Sequence, residues 1–115
     1  MVSIKEQGLL IYITEHCKRI EVKTKNITKK EFITNTDIQE IVCFNILQIG
    51  ELAKKFNRAF LKQYTNIPCK SIIGMRNIVV HGYGKINLEK VWNAATIDVK
   101  QLKIFCESIL KDLEQ

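Results

Sequence analysis

At 115 residues, 46% of them apolar, and with a net charge of +6, the chain has the length of one compact domain, residues 1–115, built on one core, and the composition of a soluble globular protein. No stretch approaches the roughly 20 consecutive apolar residues that a membrane-spanning helix needs. The N-terminus, Met1-Val2-Ser3-Ile4-Lys5-Glu6, has neither a cationic flank before an apolar signal core nor a small-residue cleavage site, so a cytoplasmic location is expected. The four cysteines, Cys17, Cys43, Cys69 and Cys106, form no Cys-x-x-Cys pair. His16 and Cys17 are adjacent and cannot both face one ion from a regular helix, so no metal site is expected and the thiols read as small buried apolar groups.

Periodicity reads helix nearly throughout. Ser3 with Glu6 forms a capping box ahead of an apolar stripe of Leu9, Leu10, Ile13, Cys17 and Ile20. The polar, lysine-rich segment from Glu21 to Thr28 reads as a connector. Thr28 with Glu31 offers a second capping box for a short helix. Thr36 with Gln39 offers a third, opening a long helix to about Phe56 with the stripe Ile41, Asn45, Ile49, Leu52 and Phe56. A short helix with Phe60 and Leu61 turned inward fits residues 57–66. Pro68, the only proline, suits the first turn of a helix running toward His81, which Gly82 would terminate. Asn87 then caps a last helix whose seam, Leu88, Trp92, Ala95, Val99, Leu102, Cys106, Ile109 and Leu113, alternates spacings of four and three. The expected fold is all-α: an antiparallel helical bundle of four main helices plus short ones.

The charge is unevenly placed. From Leu52 to Leu88 there is no Asp or Glu, whereas seven of the 18 basic residues lie there: Lys54, Lys55, Arg58, Lys62, Lys70, Arg76 and Lys85. Such a cationic stretch attracts polyanions, although by itself it is equally a solvated lysine-rich face. The helix from Pro68 to His81 is apolar nearly all round, which implies burial on most faces, yet it carries Arg76, Asn77 and His81. Buried charge needs a partner or a cleft. Glu51 is the nearest preceding acid for Arg76, with Lys55 as a competing helical partner for that acid. Asn77 and His81 share a helical face, but Arg76 and His81 differ in direction by roughly 140°. One helix alone does not aim both at one atom, so either the helix frays at Gly82 or a second subunit completes the site.

These residues carry a resemblance. Arg76, His81 and Tyr83 are spaced as in the Arg-x4-His-x-Tyr signature of HepT-like toxins of the HEPN superfamily (higher eukaryote and prokaryote nucleotide-binding domains). The block from Ile72 to Tyr83 is similar to the family's core block, and Asn45 to Ala53 resembles another; Val91-Trp92 and Asp98 fall where the family has similar residues. Cys69 after Pro68 and Lys100 after Val99 depart from it, where family members often have Trp and Pro. The resemblance implies a helical homodimer with a cleft at the subunit junction. It further implies metal-independent RNA cleavage without a cofactor, and a minimal nucleotidyltransferase antitoxin (MntA-like) that uses ATP to attach AMP to the motif tyrosine, Tyr83.

On this reading His81 is the general acid–base, Arg76 holds the phosphate and Asn77 orients His81 or hydrogen-bonds the phosphate. Lys54, Lys55, Arg58, Lys62 and Lys85 are candidates for tracking the RNA backbone. The competing reading is a non-catalytic module that binds nucleotide or a partner, with Arg76 and His81 serving structure.

Overall fold

A computed structural model describes residues 2–80 and 86–114, Cys69 through its backbone alone. Among the described residues all regular structure is helical: α1 Ile4–Thr24, α2 Lys29–Thr34, α3 Thr36–Ala53, α4 Arg58–Gln63, α5 Cys69–Val80, α6 Leu88–Asn93 and α7 Val99–Leu113, the last two joined by a π turn at Ala94–Asp98. The expected all-α bundle is therefore present. Its four long pieces are α1, α3, α5 and the α6–π–α7 rod. Helix α1 packs between α3 and α7, α3 packs against α5, and α5 closes against α6 and the π turn. The cross-contacts give the directions. Residue 6 of α1 meets Asn57 just past α3, and His16 meets Asn45 within it, so these helices run antiparallel.

The core is the stripe that the sequence marks on α1, with Leu10, Ile13, Cys17 and Ile20 fully buried, set against Val42, Ile46 and Ile49 of α3 and Val99, Leu102 and Cys106 of α7. Burial pushes the Cys106 thiol up to about 12 and raises that of Cys17 as well, so both stay protonated and pack as small apolar groups. Phe32 of α2 is buried and lies 5.3 Å from the ring of Trp92, which fastens the short helix onto α6.

Several boundaries move for identifiable reasons. Helix α1 continues to Thr24, into the segment read as a connector. Ile20 and Thr24 are buried, and Lys103 of α7 donates to Glu21 at 2.6 Å, so tertiary contact sustains a polar last turn. The cap of α3 is Asn35, whose side chain accepts from Ile38 N, and not Thr36. Gln39 instead donates to the Phe32 and Ile33 carbonyls, holding the end of α2. Helix α3 ends at Ala53, and Phe56 reaches the core from the following turn. Pro68 sits just before α5, its carbonyl accepting the first bond from Ile72 N. In α3 the buried residues are Val42, Asn45, Ile46, Ile49 and Gly50, so the inward face is rotated from the expected stripe and Ile41 is exposed. The last helix is interrupted by the π turn: Val99 N bonds to Ala94 O, which adds a residue to one turn and buries both Ala94 and Ala95. The expected termination at Gly82 lies outside the described residues.

The first capping box is realised only by half. Ser3 Oγ accepts from Glu6 N, but the Glu6 side chain does not return to the Ser3 backbone. Glu6 is 1% exposed. Its carboxylate accepts from Ser3 Oγ at 3.0 Å, from Asn57 Nδ2 at 2.7 Å and from Asn57 N at 3.3 Å. Asn57 in turn caps α4, its Oδ1 accepting from Phe60 N at 2.8 Å. One buried carboxylate thus ties the start of α1 to the turn after α3, and burial is tolerated because its oxygens are satisfied. Replacing it would strand Asn57. Glu6→Ala is expected to lower stability by about 2–3 kcal/mol, read as a fall in the urea midpoint at unchanged slope.

Candidate active site

Helix α5 brings the candidate site to α3. Ile72 and Met75 are buried against the core, which turns Arg76 toward the last turns of α3. The helix is less enclosed than its sequence suggests: Ile73 is 57% exposed, and Ile78, Val79 and Val80 are half-buried. Arg76 crosses α3 at Gly50. A Cβ on Gly50 would come within 3.0 Å of Arg76 Cδ, 3.1 Å of its Cβ and 3.2 Å of its Cγ. The missing side chain is what lets the aliphatic stem of the arginine lie on the helix.

Beyond Gly50 the guanidinium reaches an acid. Arg76 Nε donates to Glu51 Oε1 at 3.3 Å, and Lys54 Nζ donates to the same oxygen at 3.3 Å. The expected Arg76–Glu51 pair is therefore present, but the competing lysine is Lys54, not Lys55. Helix α3 ends at Ala53, so the position four residues on from Glu51 falls beyond the helix, while the position three residues on, Lys54, caps it. Hydrogen bonds from Lys54 and then Arg76 hold the Glu51 carboxyl below its usual range. Two cations on one carboxylate leave one positive charge in excess.

Arg76 Nη1 also donates to Asn77 Oδ1 at 3.4 Å, a long and weak bond that joins two of the expected site residues. The Arg76 side chain remains 26% exposed, so it is held yet reachable. Lys55, Arg58 and Lys62 are exposed on the α3–α4 turn and on α4, without an ion-pair partner among the described residues. Of the four candidate backbone-tracking cations among the described residues, Lys54 joins the Arg76 site and Lys55, Arg58 and Lys62 do not. His81, Tyr83 and Lys85 lie outside the described residues. No group of three or more His, Cys, Asp or Glu side chains able to hold a metal ion forms among the described residues.

Two features escaped sequence reasoning. One is Gly50, whose role depends on which side chain crosses it. The other is a cavity of about 490 Å³ beside Arg76, between α3, α4 and α5, with Phe56, Leu61, Ile72 and Ile73 among its walls and Lys54 at its edge. His16 belongs to neither: its Nδ1 donates to Asn45 Oδ1 at 2.7 Å, and the Asn45 amide nitrogen donates to the Ile41 carbonyl, so both serve the α1–α3 contact.

The fold and site define an all-helical bundle that presents a restrained, partly exposed arginine beside an apolar cavity. The family is established by comparison. A family model described as "Ribonuclease HepT-like" matches residues 13–109, and the chain belongs to that family. It is 33% identical over 108 residues to "Putative RNase MJ1216" of Methanocaldococcus jannaschii, covering 94% of this chain and 89% of the relative. It is 35% identical over 92 residues to "Putative RNase MJ0125" of the same organism, covering 80% and 79%. "Probable ribonuclease HepT" of Thermococcus cleftensis is 26% identical over 99 residues, covering 86% and 90%. No solved structure gives a significant match.

The shared carboxylate is open to direct measurement. In a carboxyl-detected NMR titration the Glu51 group is expected to titrate below an ordinary glutamate. Lys54→Ala should raise it toward the ordinary range. Gly50→Ala, which displaces the Arg76 stem, should do the same with only a small change in stability, since alanine's better helix propensity works against the crowding. Because the folded-state value is depressed, the pairing is complete above the unfolded value and is lost as the pH falls through the folded one.

Proposed function

We propose that the protein is an endoribonuclease, the toxin component of a toxin–antitoxin system, which cleaves RNA through Arg76, Asn77 and His81 at a cleft shared by two copies. The observation that carries this reading is Arg76: a permanently charged fork, held on one side by Glu51 and partly exposed on the other, in a chain of the HepT-like ribonuclease family. The names of the relatives and the acid-free basic stretch from Leu52 to Leu88 support it.

RNA supplies its own nucleophile, so no metal is required to generate one. The 2′-oxygen attacks the adjacent phosphorus and the bond from phosphorus to the 5′-oxygen breaks, leaving a 2′,3′-cyclic phosphate and a 5′-hydroxyl. A proton leaves the 2′-OH and another reaches the 5′-oxygen; His81, whose imidazole type titrates near neutrality, takes part in this transfer. Extra charge on the phosphate oxygens is met by Arg76 donors not used by Glu51. Asn77 holds the guanidinium or orients His81. Lys54, Lys55, Arg58, Lys62 and Lys85 guide the backbone by charge.

A second copy resolves the divergent directions of Arg76 and His81 by bringing the histidine of one subunit toward the arginine of the other. Tyr83 is the control point. Its hydroxyl oxygen, losing its proton, attacks the α-phosphorus of ATP brought by an MntA-like nucleotidyltransferase, and the bond to the β-phosphate breaks with release of pyrophosphate. The bulky anion left on the tyrosine blocks the cleft and repels RNA.

Purified protein should cleave RNA in the presence of EDTA, and His81→Ala and Arg76→Ala should each lower the rate about 10²–10⁴-fold, followed by gel electrophoresis of labelled RNA. Unchanged cleavage by His81→Ala would remove that residue from the chemistry. Tyr83→Phe should remain toxic to growing cells when an active nucleotidyltransferase partner is co-expressed, whereas the wild type is silenced; silencing of both would place control elsewhere.

A further inference from the structure

The cavity beside Arg76 takes no part in the chemistry set out above. Its walls are apolar: Phe56 and Leu61 on one side, Ile72 and Ile73 on the other. Phe56 is fixed by stacking on Phe60, with ring centroids 4.5 Å apart and an interplanar angle of 11°, so this wall is preorganised. Ile73 is 57% exposed at the rim, so its side chain is available to a ligand. The rim also carries Arg76 and Lys54, which share the single carboxylate of Glu51 and so present one excess positive charge to whatever enters. Apart from Gly50, every residue lining the cavity belongs to the acid-free stretch from Leu52 to Leu88. The volume, about 490 Å³, falls within the range of small-ligand sites.

We propose that this cavity is a base-binding subsite, which receives the nucleobase adjoining the phosphate that Arg76 holds. The inference rests on the ribonuclease reading for its substrate. A nucleotide is the ligand whose chemistry matches both halves of the site: a flat apolar face for the walls and an anionic phosphate for the cationic rim. Contact of this kind with a base is worth about tenfold to a hundredfold in affinity and is tolerant of base identity. It would seat one nucleotide and so set which bond lies at Arg76.

The test compares a short RNA oligonucleotide with versions carrying one abasic ribose at each position flanking the cleaved bond. Wild type should lose about tenfold to a hundredfold in kcat/KM on one of the abasic versions. Ile73→Ser should be slower than wild type on intact RNA and nearly indifferent to the missing base. Ile104→Ser, at a similarly exposed isoleucine on α7, should behave as wild type. Equal cleavage of intact and all abasic RNAs by wild type would overturn the proposal while leaving the ribonuclease reading in place.

If intact RNA is not cleaved at all, the ribonuclease reading fails. The subsite is then judged by fluorescence anisotropy, using an RNA oligomer and an abasic ribose-phosphate oligomer of the same length and charge. Wild type should bind the base-bearing oligomer at least tenfold more tightly, and Ile73→Ser should lose that preference; equal affinities overturn the subsite. A change of oligomeric state in Ile73→Ser, seen by sedimentation, would assign the cavity to a contact between copies and overturn it as well.

Discussion

Glu51 accepts from two cations at once, and much of the site follows from that sharing. On the proposed reading, in which Arg76 holds a phosphate, the side chain must stay charged, be restrained and remain reachable. Arg76 rises from a helix whose Ile72 and Met75 are buried, while its own side chain stays partly exposed. A single carboxylate pairs with it, but a one-to-one pair would carry no net charge. Lys54 restores the excess. Gly50 completes the arrangement by leaving room for the arginine stem. Three residues of one α3 segment thus permit, restrain and bias one side chain of α5.

That arrangement depends on where α3 stands, and α1 sets its place. The Glu6 carboxylate grips Asn57 just beyond the end of α3, and His16 grips Asn45 within it. Both ties are polar and both are directional, so they specify register where the surrounding aliphatic core specifies only proximity. On the opposite flank the π turn buries Ala94 and Ala95. With no bulk beyond a methyl group, these residues let the last helix lie close to both α1 and α5. Asp98, at the end of that turn, is half-buried, and this partial desolvation raises its carboxyl above the usual range.

Most helices were legible because their signals are local. The Thr28–Glu31 capping box forms as its spacing requires, and Asn87 caps α6. The seam Val99, Leu102, Cys106 and Ile109 is buried as its period demands. Two of the misreadings share a cause. Glu6 looked like the reciprocal half of a capping box, but a partner fifty-one positions away offered two donors. The segment after Glu21 looked too polar for helix, but Lys103 supplied an ion pair from α7. In each case a distant contact outweighed a local preference.

The sequence by itself determined the helical class, the main elements, the clustering of positive charge and the pairing of Arg76 with Glu51. These are properties of spacing and residue type, which a short window of chain contains. Only the tertiary structure decided that Lys54 rather than Lys55 shares Glu51, that Gly50 is the crossing point for Arg76, and that Phe56, Leu61, Ile72 and Ile73 enclose a cavity beside it. The first follows from where α3 ends; the other two are relations between helices, set by how α5 lies across α3. A repeat of apolar residues says that two helices will pack; it does not say which atoms meet when they do.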